Sequence, residues 1–192
     1  MPRQVDHAQR RRQIADALWR VADEQGLDAV SLRRVAAEAG VSMGLVQHYF
    51  ASRDEMLLFA MEAVGERVAR ECGAALAEMA DPGPRDRVGV LLRQWLPADE
   101  QRRREARSQF AFLVGGVGGP AGTFLRDGMA MLRAHVEAEI VADGHAPDPR
   151  GATTILLALA EGLSAHVLGG HLAPEEAGAA LEAGIASAFG PA

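Results

Sequence analysis

The feature that most constrains this chain is a pair of short helical stretches within residues 31–50, separated by a glycine. The first stretch carries apolar residues at helical spacing: Leu32, Val35, Ala36 and Ala39. This spacing predicts a helix with one buried face. Ser31 precedes that helix as an N-cap, and Gly40 ends it because glycine adopts the left-handed conformation without steric cost. Ser42 is a second N-cap, which predicts a second short helix from Met43 to Phe50.

Two short helices joined by a tight turn are typical of a helix-turn-helix, in which the second helix enters the major groove of DNA. The same spacing also fits an ordinary helical hairpin buried in a larger bundle, so spacing alone leaves both interpretations open. Three neighbouring features favour DNA binding. These are an arginine-rich first helix, a capped helix start at Ser52 and a long connecting helix after it.

The charge distribution agrees with a DNA-binding head on a body that DNA does not attract. Residues 1–53 hold eight arginines and six acidic residues, a balance of +2, whereas residues 54–192 hold twelve arginines and twenty acidic residues, a balance of −8. A chance asymmetry of solvated charges is the alternative. The chain has no lysine, which we attribute to codon bias, and the run Arg102–Arg104 in the acidic body is interpreted as solvated.

Composition favours an all-α fold. Alanine is abundant, aromatic residues make up 5% of the 192 residues, and Val, Ile and Thr do not alternate over any long run. Cys72 is the single cysteine, so no internal disulfide can form, and this usage fits a reducing compartment. No apolar signal region follows the N-terminus, and the longest strongly apolar run, Ile155–Ala160, is too short to span a membrane. We therefore expect a cytoplasmic protein without a membrane partner.

Breaker residues and apolar spacing place further helices along the chain. Residues 1–8 are expected to form a loose arm, followed by a helix that starts at Arg10 and ends at Gly26. A long helix is predicted from about Arg53 to about Ala80. Later helices are predicted at 85–96, 98–114, 121–142, 150–168 and from Pro174 to near Gly190, with a glycine-rich break at 115–120. The prediction is an N-terminal three-helix helix-turn-helix domain, residues 1–52, and a C-terminal helical bundle, residues 53–192.

A specific pattern of residues runs through positions 14–55. It consists of Ile14, Ala15, Ala17, Gly26, Val35, Ala36, Ala39, Gly40, Val41, Ser42, Gly44, Phe50, Ser52, Arg53, Asp54 and Glu55. This pattern resembles the TetR family of one-component transcriptional repressors. The segment His48–Phe50, with Arg10–Gln13, is most similar to the branch of choline–betaine pathway (BetI-like) regulators, to which the C-terminal body gives only a weak match.

The chain departs from the family pattern at three positions. Many members carry a tyrosine where Gln47 stands, a histidine where Tyr49 stands and a lysine where Arg53 stands. The resemblance therefore implies DNA binding but leaves the operator sequence undefined.

The resemblance implies that the second helix of the motif faces the groove with Ser42, Met43, Gly44, Leu45, Gln47 and His48. Gln47 is the candidate for direct readout, because a carboxamide pairs bidentately with adenine. The candidate phosphate contacts are Arg10, Arg11, Arg12, Ser31, Arg33 or Arg34, His48 or Tyr49, and Arg53. For Arg33 and Arg34 a plain solvated face is the alternative. Val41, Val46 and Phe50 are expected in the core.

The resemblance also implies a homodimer that places two such helices in successive major grooves and reads a near-palindromic operator in double-stranded DNA. In the family the last two helices form the dimer surface. The candidate interface residues here are Leu156, Leu159, Leu163, Leu181 and Ile185. The run Ile155–Ala160 is apolar all round, which argues for burial on more than one side, and small residues within 177–188 permit close helix contact. An internal core is the alternative for these residues.

The body is expected to hold a pocket for an unidentified small-molecule effector, whose binding would favour a state with the heads wrongly spaced for DNA. The candidate lining residues, for each of which core packing is the alternative, are Met61, Val64, Val68, Trp95, Arg107, Phe110, Phe112, Phe124 and Met131. Arg107 could meet an anionic effector. A cation such as choline would instead require an aromatic cage, and with only Trp95 and a few phenylalanines in the body we do not assign choline.

An enzyme is the main rival class, and three motifs argue against it. Gly162-x-Ser164-x-His166 lacks the final glycine of a nucleophile elbow and follows no predicted strand. The stretch 115–120 is not followed by Gly-Lys-Ser/Thr, and no acidic cluster joins His166 and His171, so neither a nucleotide cofactor nor a metal is expected. A helical small-molecule-binding or adaptor protein without a DNA role is the alternative function.

Overall fold

All regular structure in the part of the chain that the computed structural model describes is helical, which confirms the predicted all-α fold. The structure describes residues 2–115 and 118–189, with side chains described for residues 7–111 and 118–189. The helices are α1 (Pro2–Gln25), a short 3-10 turn (Leu27–Ala29), α2 (Leu32–Glu38), α3 (Met43–Tyr49), α4 (Arg53–Ala77), α5 (Pro84–Arg93), α6 (Glu100–Gly115), α7 (Gly119–Asp143), α8 (Pro149–Leu168) and α9 (Pro174–Phe189).

The helix ends follow the predicted caps, with one correction at the N-terminus. The Oγ atoms of Ser31, Ser42 and Ser52 each accept a hydrogen bond from the backbone N–H three residues later, at 3.1–3.3 Å. The predicted loose arm at residues 1–8 is wrong, because α1 begins at Pro2. A proline suits the first helical position, where its missing N–H would have no helical partner. Residues 116 and 117 of the predicted glycine-rich break, and the predicted end at Gly190, lie outside the described residues.

The chain forms two compact units that differ from the predicted domains. Met1–Glu66 and Arg107–Arg126 form one, here called the head unit, and Arg67–Ala106 and Asp127–Ala192 form the other, the body unit. The predicted boundary between residues 52 and 53 is displaced because α4 buries its first apolar turns, at Met56, Leu57 and Ala60, in the head core. Ala121 at the start of α7 joins the same core.

The head core is built from the inner faces of α1 to α4. Its largest fully buried side chains include Ile14 and Leu18 of α1, Met56 of α4, and Phe50 at the end of α3. The guanidinium of Arg11 lies over the rings of Phe50 and Phe59, 4.8 and 4.1 Å from their centroids. A cation over an aromatic face is attracted by the ring quadrupole, so Arg11 fastens α1 to the end of α3 and to α4.

The residues predicted for the dimer interface lie in or against the body core. Leu156, Leu163, Leu181 and Ile185 are all buried within the single chain, and Leu181 is fully inaccessible. Leu159 is half-buried and lies on Gly184, where an added Cβ would clash with Leu159 Cδ2. Leu156, Leu163, Leu181 and Ile185 therefore belong to the internal core that α8 and α9 help to form within one chain, and Leu159 packs against that core.

Helix α8 is long and strongly apolar. Among the described residues it is the one helix that could cross a membrane by length and composition. Its Leu156, Leu157, Ala160 and Val167 are buried in the body core, as expected for the core helix of a folded domain.

A part-buried ion network ties α4 to α6 within the body unit. Arg67 and Arg102 each donate to Glu71 at 2.8 Å, and Arg67 also pairs with Glu105. The side chain of Arg102 is only 25% exposed, so the prediction of a solvated run at Arg102–Arg104 is wrong for Arg102. Burial raises the pKa of Glu105 despite Arg67, whereas the hydrogen bond from Arg67 lowers the pKa of Glu71.

The assignment of Leu181 to the body core predicts the effect of truncating it. Leu181→Ala should lower the free energy of unfolding by about 2–5 kcal/mol, because it removes buried methyl groups and leaves a cavity. Met131→Ala is the matched control, since Met131 on α7 is 74% exposed, and its effect should stay within about 0.5 kcal/mol. Urea denaturation measures both, at several protein concentrations. A loss at Leu181 that vanishes at high concentration would mean that the residue serves the interface instead.

Candidate nucleic-acid interface

The turn between α2 and α3 is built as the sequence predicts. Gly40 has φ +66°, a conformation that suits glycine. The N–H of Val41 donates to the carbonyl of Ala36 at 3.0 Å, so the chain closes the C-terminus of α2 before it starts α3. Val35 and Ala36 of α2 and Val46 of α3 are buried, and Val41 is half-buried. The turn and the core together fix the direction of α3.

Burial of one face of α3 leaves the opposite face in solvent. Val46 and Phe50 point into the head core. The predicted groove-facing residues that are exposed are Ser42, Met43, Gly44, Gln47 and His48, whereas Leu45 is half-buried. A Cβ added at Gly44 would meet nothing closer than Ser42 Oγ at 4.0 Å. Packing within the protein therefore does not require a glycine there, while a close approach of another molecule would.

The predicted phosphate-binding arginines differ in their surroundings. Arg33 is exposed and makes no hydrogen bond or ion pair among the described residues. Arg34 donates to Gln25 at 2.9 Å, and Arg10 donates to Gln13 at 2.7 Å. Both of these bonds are exposed, so they are easily exchanged for a bond to phosphate.

Arg53 was predicted to bind a phosphate, and its guanidinium donates to backbone carbonyls of the head unit. Its Nε donates to the carbonyl of Val30 and its Nη2 to the carbonyl of Leu27, both at 2.9 Å. These carbonyls belong to the 3-10 turn and the residue after it, which lead into α2. Arg53 thus joins the start of α4 to the segment before the helix-turn-helix. Hydrogen bonds from a charged donor to carbonyls are among the stronger ones in proteins.

Two side-chain contacts at the C-terminal end of α3 were not foreseen from the sequence. One is the stacking of Arg11, which was predicted to contact phosphate, on Phe50 and Phe59. The other is a contact of His7 with Tyr49, with ring centroids 4.6 Å apart. His7 was missed because residues 1–8 were predicted as a loose arm, whereas Arg11 lay in the predicted helix and only its aromatic partners were not apparent from the sequence.

The predicted effector-pocket residues are distributed over both units. Met61 is buried in the head core, and Val64, Phe110 and Phe124 also belong to the head unit. Val68 and Trp95 are half-buried in the body unit. The side chain of Phe112 lies outside the described residues.

Two further pocket candidates have surroundings that differ from the predicted pocket lining: Arg107 is paired with an acidic side chain, and Met131 is exposed. Arg107 donates to both carboxylate oxygens of Asp23, with Nη2 to Oδ2 at 3.1 Å. The charge of Arg107 is therefore paired within the head unit. Met131 is exposed on α7, on the side opposite its buried residues Val136 and Ile140.

The motif that superficially resembles a nucleophile elbow has no structural support. Ser164 is 3% exposed and lies inside α8, and no strand precedes it in the described chain. Within the same described residues, no group of three or more His, Cys, Asp or Glu side chains could hold a metal ion.

Two sequence families match this chain. Residues 14–60 match the family described as "Bacterial regulatory proteins, tetR family", and residues 84–190 match "BetI-type transcriptional repressor, C-terminal". The HTH-type transcriptional regulator PksA of Bacillus subtilis is 42% identical over 113 residues, which is 58% of this chain and 54% of PksA. The chain spans about half the length of the curated relatives it matches.

Solved structures are similar over nearly the whole chain. A transcriptional regulator from Rhodococcus sp. Rha1 is 31% identical with a TM-score of 0.78, covering 92% of this chain and 94% of that one. A transcriptional regulator from Saccharomonospora viridis, solved in complex with choline, is 23% identical with a TM-score of 0.77, covering 92% of this chain and 95% of that one. The second likeness concerns the fold alone.

The bonds of Arg53 predict a structural role that can be measured without DNA. Arg53→Ala should lower the free energy of unfolding by about 1–3 kcal/mol, because two carbonyls lose a charged donor. Arg33→Ala is the matched control and should change it by no more than about 0.5 kcal/mol. Urea denaturation monitored by circular dichroism gives both values. Equal small losses in the two variants would contradict the structural role of Arg53.

Proposed function

Because the chain belongs to the TetR family of bacterial regulatory proteins and carries a BetI-type C-terminal domain, we propose that it is a ligand-responsive transcriptional repressor. It binds a palindromic operator as a homodimer and leaves it when a small-molecule effector binds. The observation that carries this proposal is the free face of α3, which presents Met43, Gly44, Gln47 and His48 to solvent while Val46 anchors the opposite face. No catalytic step is part of the proposal, and its site of action is the cytoplasm.

The proposed reading of DNA divides the head into two kinds of contact. Gln47 reads a base edge through its carboxamide, and Gly44 lets α3 approach the groove closely. The phosphates are held, and the register is set, by Arg10, Arg33, the N-terminal end of α2 at Ser31, and His48 or Tyr49. Arg53 is proposed to support this arrangement from inside the head, because its donors are engaged by Leu27 and Val30.

The proposed dimer uses the faces of α8 and α9 that lie opposite the body core. On α8 these residues are Ile155, which is 67% exposed, Ala158 and Gly162. On α9 they are Ala179 and Ala183, both exposed. Small side chains at helical spacing allow two helices to approach closely, and an exposed isoleucine among them favours burial by a second copy.

We propose that the effector is a small molecule, and we do not identify it as choline. Aromatic cages hold quaternary ammonium groups. In the described body unit Trp95 is the half-buried aromatic residue, and Phe189 is buried in the core. The effector acts by binding more tightly to the state that cannot hold the operator, which shifts the population of states.

The proposal predicts operator binding with a steep salt dependence. The probe is promoter DNA from the genomic neighbourhood of the gene, with unrelated duplex as the control. A dimer that contacts six to ten phosphates should lose about 10³–10⁵ in affinity between 50 and 200 mM salt, because it displaces condensed counterions. A folded, dimeric protein that binds none of these fragments would refute the repressor and favour the adaptor alternative.

The proposed roles within the head predict two different mutant signatures. Gln47→Ala should relax sequence preference at one base pair of each half-site, at a cost of about 1–3 kcal/mol for the preferred base. Arg33→Ala should weaken binding to all sequences alike and reduce the salt slope by about one. Selection from random duplexes and salt titrations distinguish the two. Uniform weakening by Gln47→Ala would rule out direct readout by Gln47.

A further inference from the structure

The end of α3 carries a chain of three rings, and one of them, His7, has no role in the proposed function. His7 of α1 lies against Tyr49, with centroids 4.6 Å apart and ring planes inclined by 60°. His48 meets the same tyrosine edge-on, at 5.2 Å and 79°. Both contacts fall in the range of distance and tilt at which aromatic rings attract each other. The phenol is therefore held by two imidazoles, one from its own helix and one from α1.

The His7 contact joins parts of the chain that are far apart in sequence. Tyr49 is the last residue of α3, and His7 lies near the start of α1. His7 and His48 are exposed, while Tyr49 is half-buried. The rings thus lie at the edge of the head unit that also carries the exposed face of α3. The first turns of α1 reach that edge because α1 begins at Pro2.

We infer that His7 is a positioning residue for DNA binding: its ring fixes Tyr49 at the DNA-facing end of α3. This inference rests on the proposed function. A free tyrosine ring loses rotamer freedom when its hydroxyl binds a phosphate, and a ring already packed on a neighbour has less freedom to lose. His7 acts through its ring face, not through a nitrogen bound to DNA. The first turns of α1 are thereby part of the DNA-reading surface.

The sequence offers a direct probe, because Tyr49 is the single tyrosine of the chain. Biosynthetic labelling with 3-fluorotyrosine gives one ¹⁹F resonance, which reports the surroundings of the Tyr49 ring in the DNA-free protein. His7→Ala removes the neighbouring ring and should shift this resonance. His135→Ala is the matched control, since it removes an exposed imidazole of the body unit, and the resonance should not move.

The binding arm uses the genomic duplex that the wild-type protein selects. His7→Ala should weaken binding roughly two- to tenfold, the range expected for loss of one aromatic pair. His7→Phe keeps a ring but has no nitrogen, and its affinity should stay within about twofold of wild type. His135→Ala should bind as the wild type does.

The outcomes separate this inference from the proposed function. An unchanged fluorine resonance in His7→Ala overturns the ring contact. Equal losses of affinity in His7→Ala and His7→Phe overturn positioning, because they assign the effect to an imidazole nitrogen. A wild-type protein that selects no duplex overturns the proposed function and with it the role of His7 in binding, while the fluorine resonance still decides the contact with Tyr49.

Discussion

The head unit depends on the burial of Val46 and Phe50 at one side of α3. A helix of seven residues has too few internal hydrogen bonds to be stable alone, so packing must supply its stability. Those two side chains enter a core that α1, α2 and the first turns of α4 share. The same burial determines which side of α3 is left in solvent. Core packing therefore constrains Val46 and Phe50, while Met43, Gly44, Gln47 and His48 stay free for the proposed contacts with DNA.

Local sequence signals predicted this arrangement well because the forces involved are local. Ser31, Ser42 and Ser52 cap helices through atoms three residues away, and Gly40 needs only its own φ. The buried positions of α2 and α3 follow from helical spacing. No distant residue has to be known for any of these predictions.

Contacts between distant parts of the chain could not be predicted in the same way. A leucine such as Leu181 looks the same in a sequence whether its partner is α8 of its own chain or a helix of a second copy. Arg53 likewise carries the charge of a phosphate ligand, and only the folded chain brings it to the carbonyls of Leu27 and Val30. Arg11 and His7 meet aromatic rings about forty residues away or more. In each case the side chain's chemistry is apparent from the sequence, and its partner is not.

The passages of the chain between the two units bear on the proposed regulation. The chain passes between the head unit and the body unit at residues 66/67, 106/107 and 126/127. These positions lie inside α4, α6 and α7, so a hydrogen-bonded helix, not a flexible linker, makes each passage. Near one passage Arg107 pairs with Asp23 of α1, and near another Arg67 pairs with Glu71 and Glu105 in the body unit. A helix transmits a displacement along its axis because its backbone bonds resist stretching, whereas a loop would absorb it. We propose that an effector bound in the body unit acts on the head unit through these helices, without any contact to α3.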